Sequence, residues 1–439
     1  PCTCSMHTSR TLLATRAAPT AASVVLALPA VRPGRQIAGR RGEILSGLFA
    51  AVPPVFLVVF GNAPRLGYVE TLLWGMILLL MVERLMAAPD GPRVRSLLLV
   101  SGFVAGIAVW TNLLIAPFAA TAVIAVLVFR GRAVLGRAAG WGAAGLFAGS
   151  LPFWVFNIRN RFWSLALMET GEKGDLAEKA GRLLGEVLPF VLGMRDISAG
   201  EWLARAAIPL AVGYLLVVAG LVAFWRGTSA ASGGRKAAVL PFALLFLTLA
   251  AFLASRYGSL GSPRYLFPVY GAMPLLLAMG TSSLWRRSRA WLLVVPLILG
   301  GHLVGVARAY QEFVFPGAGA AEIPPLRPVL DFLQHEQIRH VYADYGVSVR
   351  FNFETGEKVA AAQPLDERYP PNALAVDEAS RVAVAEIGRF TFFGRQAFKK
   401  NLKALGFEFE EALAGDWRIF YAFRHAGQSS ASLSPELWR

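Results

Sequence analysis

Charged residues are scarce in this chain. Only 16% of its 439 residues are Asp, Glu, Lys or Arg, whereas 55% are hydrophobic and the mean hydropathy is +0.51. Soluble globular domains carry about 25% charged residues. The composition therefore excludes an ordinary soluble enzyme and indicates a membrane protein with a smaller soluble part.

Cysteine and the common catalytic motifs are also nearly absent. Cys2 and Cys4 are the only cysteines, and two thiols alone do not complete a zinc site. The sequence has no GxxxxGK(S/T), HExxH or GxSxG pattern, so nothing in it indicates a P-loop, a zinc-protease helix or a nucleophile elbow. His302, His335 and His340 are scattered along the chain and predict no metal site.

Acidic residues are few in the first 310 residues, which hold 11 Asp+Glu against 29 Lys+Arg. From Gln311 onward the balance reverses, with 14 Lys+Arg against 17 Asp+Glu. Basic charge next to membrane helices orients them and attracts lipid headgroups or lipid phosphates. Nucleic acid is disfavoured as a partner, because the Arg residues lie between apolar segments and not along one polar face.

Residues 1–41 contain six Arg and no acidic residue, with many Ala, Ser and Thr. That composition resembles a transit peptide. A chain that is truncated or misread at its start is the interpretation that we favour. The segment is therefore treated as an atypical N-terminal region, separate from the domains that follow.

Nine apolar segments approach the length of about 20 residues that a membrane-spanning helix needs. The third and fourth are short and share the turn at Trp110–Asn112, which predicts a tight hairpin. The segments are 44–61, 68–86, 96–110, 113–129, 137–156, 205–225, 237–254, 265–284 and 289–308.

Basic residues orient these spans. Alternate loops carry 16 Lys and Arg residues, whereas the opposite short loops hold only Arg65, Arg256 and Arg264. The basic loops are expected in the cytoplasm, which places the long loop 157–204 and the C-terminal region outside. The expected location is the cell inner membrane. Within the long loop, apolar residues at helical spacing over 175–191 predict an amphipathic helix, either in the membrane interface or packed on the tail.

The character of the sequence changes after Tyr310. Short strand-like runs occur at 340–344, 358–363, 381–387 and 417–423, and helical patterns at 325–336 and 394–405. The predicted fold is an α-helical polytopic membrane protein of about nine transmembrane helices with a C-terminal α/β extracytoplasmic domain. Its predicted parts are residues 1–41, a membrane domain at 42–309 with outer loop 157–204, and the α/β domain at 310–439.

Polar residues gather at the predicted outer ends of the spans, as in the stretch GSLPFWVFNIRNRF (149–162). Arg presents a planar fork that suits phosphate, although any single Arg can simply anchor to lipid. Glu70 is a tentative catalytic residue because a carboxylate at this depth is costly unless paired or hydrated, and Arg65 is its alternative partner. The candidate substrate-binding residues are Asn112, Asn157, Arg159, Arg256, Arg264 and Tyr265.

Four stretches occur in an order that resembles the bacterial membrane glycosyltransferases related to protein O-mannosyltransferases (family 39). They are GYVETLLWGMILLLMVERL, GFVAGIAVWTNLLIAPFA, GSLPFWVFNIRNRF and SPRYLFPVYGAMPLLLA. The tail stretch YADYGVSVRFNFETGEKVAAAQPLDERYP is similar to the extracytoplasmic ends of some members. The resemblance covers roughly residues 40–425.

The resemblance implies transfer of a sugar from a polyprenyl-phosphate carrier to a lipid, glycan or protein hydroxyl at the outer membrane face. It implies that Arg264 and Tyr265 match the family's Arg-Tyr pair, and that Glu70 and Asn112 match polar positions at helix ends. The family's acidic residue in the first outer loop, which assists deprotonation or binds a divalent metal, has no counterpart in residues 1–41. This chain is therefore expected to be inactive if that loop is missing.

Two other functions remain open. A transporter or flippase for a lipid-linked sugar needs polar residues at mid-membrane and often internal repeats, and the spans show almost no charge and no obvious repeat. A sensory membrane protein with a ligand-binding tail is the third interpretation. The sequence assigns no certain cofactor, and its expected partners are the polyprenyl-phosphate donor and membrane lipids.

Overall fold

A computed structural model of the chain describes residues 27–62, 67–131, 136–166, 174–197, 200–203, 205–228, 233–255, 258, 262–314, 324–364, 367, 369–387 and 402–425. The chain divides into two compact units. The first comprises Pro1–Phe156 and Gly171–Ala320, and the second comprises Asn157–Thr170 and Ala321–Arg439. Most of the atypical segment 1–41 lies outside the described residues, as do Arg65 and Arg256.

Helices make up nearly all of the described part of the first unit. In chain order up to residue 314, the helices are α1 (Ala27–Ala51), α2 (Val55–Asn62), α3 (Tyr68–Ala87), α4 (Pro92–Thr111), α5 (Ala116–Arg130), α6 (Arg137–Gly149), α7 (Leu151–Arg159), α8 (Trp163–Ala166), α9 (Leu176–Arg182), α10 (Leu188–Val191), α11 (Ala207–Gly227), α12 (Gly233–Ala254), α13 (Val269–Trp285) and α14 (Val294–Val314). The tail of α7 and all of α8 belong to the second unit.

The predicted multi-pass membrane architecture is confirmed. Among the described residues, five helices are long and apolar enough to cross a membrane, and the number rises to seven when two bent helix pairs each count as one span. The bends measure 62° between α1 and α2 and 57° between α6 and α7. The other two predicted segments are also helical, but α3 carries Glu70, Glu83 and Arg84 and α13 has only 17 residues.

The expectation that the third and fourth spans are short and form a tight hairpin is wrong. The third is a 20-residue helix, α4, and the fourth has 18 residues when a 3₁₀ turn at Leu113–Ile115 is counted with α5. Both pack on α3. The sequence limits were drawn at the nearest charges, whereas the helices continue through Arg93 and Arg95 because side chains at helix ends reach water.

Small residues bring α4 and α6 into close, parallel contact. A side chain added at Gly102 or Gly106 of α4 would overlap the backbone of α6, and one added at Gly145 or Gly149 of α6 would overlap the backbone of α4. Such glycine-lined interfaces are typical of helices packed in a membrane, where close backbone approach replaces the hydrophobic effect as the driving force.

The second unit is built on a five-stranded mixed sheet with strands β1 (His340–Tyr342), β2 (Ala360–Ala362), β3 (Val382–Ile387), β4 (Phe407–Ala414) and β5 (Trp417–His425). The strand order is β2-β1-β3-β5-β4, in which β1, β2 and β3 are parallel and β5 pairs antiparallel with both β3 and β4. Helices α15 (Arg327–His335), α16 (Tyr345–Thr355) and α17 (Pro370–Asp377) complete the unit.

The prediction of a C-terminal α/β fold is confirmed, including all four predicted strands and the helix over 325–336. The sequence analysis missed α16, α17 and β4. Strand β4 has four exposed positions at the sheet edge, three of them glutamates, so it lacks the apolar run that marks a buried strand. Of the predicted helix 394–405, only residues 402–405 are described.

Candidate functional site

Basic residues from separate loops gather at one end of the first unit, which is named here the basic end. The guanidinium of Arg41 lies 4.6 Å from the ring centre of Trp285, and Arg130 pairs with Asp90 at 2.7 Å. Arg32 lies 3.7 Å from Glu83 near the end of α3. These contacts bring together segments that are far apart in the sequence. The same segments were placed on one side of the membrane because of their basic residues.

The opposite end of α3 lies against the end of α4. Gly67 precedes α3 with a φ of 98°, in the left-handed region, and a Cβ there would lie 3.0 Å from both Asn112 Nδ2 and the Thr111 carbonyl oxygen. Only glycine fits this position comfortably. Glu70 and Glu83 are 13 residues apart on α3, so this polar end is about 20 Å from the basic end at 1.5 Å rise per residue.

Glu70 and Asn112 both terminate helices at this polar end. Glu70 Oε2 accepts a hydrogen bond from the backbone N–H of Gly67 at 3.0 Å, and Asn112 Oδ1 accepts from the N–H of Leu114 at 3.0 Å. Both contacts satisfy backbone donors that have no partner inside a helix. The fold therefore fixes the direction of both side chains.

Arg264 and Tyr265 lie in a 3₁₀ turn, Pro263–Leu266, that leads into α13. Arg264 Nη2 donates to the Tyr265 hydroxyl at 3.0 Å, and the guanidinium lies 5.0 Å from the centre of the same ring. The Tyr68 side chain also lies close enough to Arg264 to interact with its charge. Its Nε is buried without a hydrogen-bond partner among the described residues.

Tyr68 connects the two halves of this polar cluster. It follows Gly67, which contacts Asn112, and its ring packs on Phe267 with centres 5.5 Å apart. Phe60 packs against both rings from α2. The structure thus brings four predicted site residues to one end of the first unit, next to a group of aromatic side chains. Those four are Glu70, Asn112, Arg264 and Tyr265, and their roles stay predictions.

The other two described candidates belong to the second unit. Asn157 is fully buried, and its Oδ1 accepts from Ser164 Oγ at 2.6 Å, so it holds the turn between α7 and α8. Arg159 is exposed. Next to them, Trp163 Nε1 donates to the Glu367 carbonyl oxygen at 2.9 Å, which ties this segment to the α/β fold.

The amphipathic pattern over 175–191 puts Lys179 on the face opposite the apolar residues, and the structure differs from this expectation. Lys179 is buried, and its Nζ donates to the carbonyl oxygens of Ser255 at 2.8 Å and Leu253 at 3.4 Å at the end of α12. Conversely, Leu176 and Leu184 are exposed. A π-helical turn at Leu183–Val187 rotates the helix faces, and the 3.6-residue pattern used for the prediction does not include such a turn.

Two further polar residues were missed near this end. Asp196 is 3% exposed and accepts from Arg308 Nε at 2.9 Å, although its sequence neighbourhood reads as an ordinary loop. Tyr68 was quoted only as part of GYVE. The only signal in the sequence is that Tyr68 stands among apolar residues two positions before Glu70.

His302 has a structural explanation inside the helical unit. Its Nδ1 lies 2.8 Å from the Val52 carbonyl oxygen and its Nε2 lies 2.8 Å from the Tyr214 hydroxyl. Val52 stands at the break between α1 and α2, where Pro53 and Pro54 follow and the carbonyl has lost its helical partner. Buried polar groups in a membrane need such partners.

Within the part of the chain that the structure describes, no three His, Cys, Asp or Glu side chains lie close enough to hold a metal ion together. The carboxylate at the polar end, Glu70, stands without a second acidic ligand in the contacts described above. The residues present there do not fit a divalent metal site, so the chemistry below is derived from side chains alone.

Comparison with solved structures identifies the fold. ArnT from Cupriavidus metallidurans bound to undecaprenyl phosphate matches with a TM-score of 0.53 and 14% identity over 93% of this chain and 83% of that chain. The apo form of the same protein matches with a TM-score of 0.54, 14% identity and coverage of 92% and 83%. An Archaeoglobus fulgidus oligosaccharyltransferase, tethered to an acceptor peptide, gives a TM-score of 0.47 at 12% identity over 97% of this chain and 63% of that chain.

No protein-family model matches the sequence, and no curated protein matches it. The similarity to ArnT therefore shows the fold alone. At that level, the predicted resemblance to the polytopic membrane glycosyltransferases is confirmed.

Proposed function

We propose that the chain is a membrane glycosyltransferase that takes a sugar from a polyprenyl-phosphate carrier. The observation that carries this proposal is the polar cluster: Arg264, with its Nε buried and unpaired among the described residues, stands between two tyrosines at one end of the membrane helices. The shared fold with ArnT, which is bound to undecaprenyl phosphate in one of its structures, supports the same class of donor.

Arg264 is the proposed binding group for the phosphate of the donor. A guanidinium offers five donors, and here the Tyr265 hydroxyl takes one N–H of Nη2, which leaves the buried Nε–H to donate to a phosphate oxygen. The aromatic side chains of Tyr68, Tyr265 and Phe267 exclude water next to this cation. A cation in a water-poor site interacts more strongly with phosphate than one in bulk water.

The proposed reaction is a substitution at the anomeric carbon. An acceptor hydroxyl oxygen forms a bond to that carbon while the bond from carbon to the phosphate oxygen breaks. The polyprenyl phosphate leaves with the electron pair, and its departing oxygen takes up the proton that the hydroxyl loses. Negative charge therefore grows on the phosphate oxygen in the transition state. Arg264 stabilises this charge, which is the interaction that lowers the barrier most.

Glu70 and Asn112 are proposed to position the sugar or the acceptor. Glu70 already uses Oε2 to accept the Gly67 N–H, so its remaining oxygen is the one available to a sugar hydroxyl. Asn112 uses Oδ1 for its own turn, which leaves its Nδ2 as a donor. A carboxylate committed to a helix start is a poor proton acceptor, so Glu70 is not assigned as the general base.

The proposed setting is the outer face of the cell inner membrane, with a lipid, glycan or protein hydroxyl as acceptor. The α/β unit is proposed to be extracytoplasmic. Arg159, which is exposed, is proposed to bind substrate on that unit, and Asn157 to hold the turn that carries it. Arg256 is proposed to bind substrate from the sequence before Arg264.

The proposal is tested with purified full-length protein and a labelled polyprenyl-phosphate sugar. We expect release of polyprenyl phosphate, and a loss of about 10²- to 10³-fold in rate for Arg264→Ala, as for removal of one transition-state donor in other enzymes. Arg287→Ala, an exposed Arg at the basic end, is the control and should retain full activity.

The flippase interpretation makes the opposite prediction. In vesicles, it requires movement of the intact lipid-linked sugar across the bilayer without release of polyprenyl phosphate. Translocation without release for a panel of donor sugars would replace the proposed transferase function with transport.

A further inference from the structure

A polar cavity lies at the basic end, about 20 Å along α3 from the polar cluster. Its volume is about 530 Å³, which is the size of a small-molecule site. It opens between α1, α3, α4 and α12, each of which contributes one basic side chain to the wall. These are Arg32, Arg84, Arg93 and Lys236.

The charges in this cavity do not balance. The acidic residue in its wall is Glu83, which interacts with Arg32 at 3.7 Å and accepts a hydrogen bond from Gln36. Arg84, Arg93 and Lys236 form no ion pair with another described residue. Three converging cations without counterions favour an anionic ligand.

The first turns of two helices also favour an anionic ligand in this cavity. Helix α4 begins at Pro92 and α12 begins at Gly233, and both Arg93 and Gly233 line the cavity. Each helix has more than 20 Å of length and presents the positive end of its dipole at this point. The cavity therefore combines side-chain cations with two positive helix ends.

The remaining wall is apolar. Met86, Phe129 and Leu240 line it next to the cations. An inorganic anion gains nothing from such a surface, whereas a phospholipid places its phosphate among cations and its acyl chain along apolar side chains. The two halves of the wall thus match the two halves of an anionic lipid.

We propose that this cavity is a binding site for the phosphate headgroup of an anionic phospholipid, with Arg84, Arg93 and Lys236 as its phosphate ligands. A phospholipid bound at this site contacts α1, α3, α4 and α12 and so links the four helices. This binding is independent of the proposed sugar transfer, because no residue of this cavity belongs to the polar cluster.

The test is a binding titration of the purified full-length protein with dihexanoyl phosphatidylglycerol and, in a separate arm, with inorganic phosphate. We expect saturable binding of the lipid, and a dissociation constant at least tenfold higher in the double variant Arg93→Gln/Lys236→Gln, since both side chains are partly or fully exposed and the substitution should not disturb folding. Arg287→Gln, at the same end but outside the cavity, is the matched control and should bind as the parent does.

Three results would overturn the proposal. If Arg287→Gln weakens lipid binding equally, the lipid is attracted only by the general positive charge of the basic end. Inorganic phosphate binding as tightly as the lipid means that the apolar wall plays no part. Unchanged lipid binding in the double variant, with an unchanged melting temperature to show that it folds, means that the site lies elsewhere.

Discussion

Arg264 is held by its own sequence neighbour: the guanidinium lies 5.0 Å from the ring centre of Tyr265 and donates to the hydroxyl of that ring at 3.0 Å. Together with Tyr68, this contact restricts a flexible side chain to one orientation. A cation that is oriented before the substrate arrives loses little entropy on binding. The predictions on activity below follow from this arrangement.

Tyr68→Phe removes the hydroxyl that interacts with Arg264 and leaves the aromatic packing intact. A typical hydrogen bond contributes about 1 kcal/mol, so kcat/KM for the polyprenyl-phosphate donor should fall about three- to tenfold. The double variant Tyr68→Phe/Arg264→Ala should be no slower than Arg264→Ala alone, because the tyrosine acts through the arginine. Additive losses in this cycle would show that Tyr68 contacts the substrate itself.

The variants Glu70→Gln and Glu70→Ala distinguish a structural role of Glu70 from a functional one. Glu70→Gln can still accept the Gly67 N–H, as Gln does in capping boxes, so the melting temperature should change little. If the carboxylate binds the sugar, kcat/KM should still fall about 10- to 100-fold. Glu70→Ala should lower both the melting temperature and the activity. Full activity in Glu70→Gln would show that Glu70 only caps the start of α3.

Packing between α4 and α6 depends on glycine at the contact. A Cβ at Gly106 would overlap the Leu146 carbonyl oxygen and lie 2.7 Å from the Ser150 backbone nitrogen. Gly106→Leu should therefore destabilise the protein by about 1–3 kcal/mol or more, as overpacked cores do. Gly140→Leu on α6, where nothing lies within 4 Å, is the control. Thermal unfolding in detergent should distinguish the two variants.

The α/β unit should lose stability in alkali through Tyr342. Burial and the hydrogen bond to Asp377 Oδ1, at 2.6 Å, raise the pKa of the Tyr342 hydroxyl above its usual value of about 10. In the unfolded chain the hydroxyl ionises near pH 10 while the folded state keeps its proton, so its stabilising contribution is complete below pH 10 and is lost as pH rises further.

Limited proteolysis of the α/β unit measures this effect. The cleavage rate should rise above pH 10 in the parent protein. Tyr342→Phe should be less stable at neutral pH but should lack this alkaline component, since it has no ionisable hydroxyl. A parallel alkaline response in both proteins would assign the effect to other groups.

The fold was largely predictable because apolar segments of about 20 residues dominate the sequence, and a membrane leaves them little alternative to helix. The sequence also predicted β1, β2, β3 and β5, whose apolar runs form the buried sheet. It failed for β4, a half-exposed edge strand, and for the α9 region, where Lys179 is buried against the end of α12 and a π-helical turn follows. Both failures occur where local geometry overrides a regular period.

The candidate site was predictable in its parts but not in its assembly. Glu70, Asn112 and Arg264 stood out because polar residues at helix ends are unusual in such an apolar chain. The contacts that join them pass through Gly67 and Tyr68, two residues without a distinguishing pattern of their own. Contacts between residues that are distant in the sequence depend on how the helices pack, and this packing cannot be read from a single sequence.

The hydrogen bond from Trp163 to Glu367 has a consequence for how often the chain crosses the bilayer. The α7–α8 segment and the C-terminal strands fold into one unit, so both must emerge on the same face of the membrane, and the number of crossings between them must be even. Helices α11, α12 and α14 alone would give an odd number. We therefore expect helix α13, despite its 17 residues, to supply the fourth crossing.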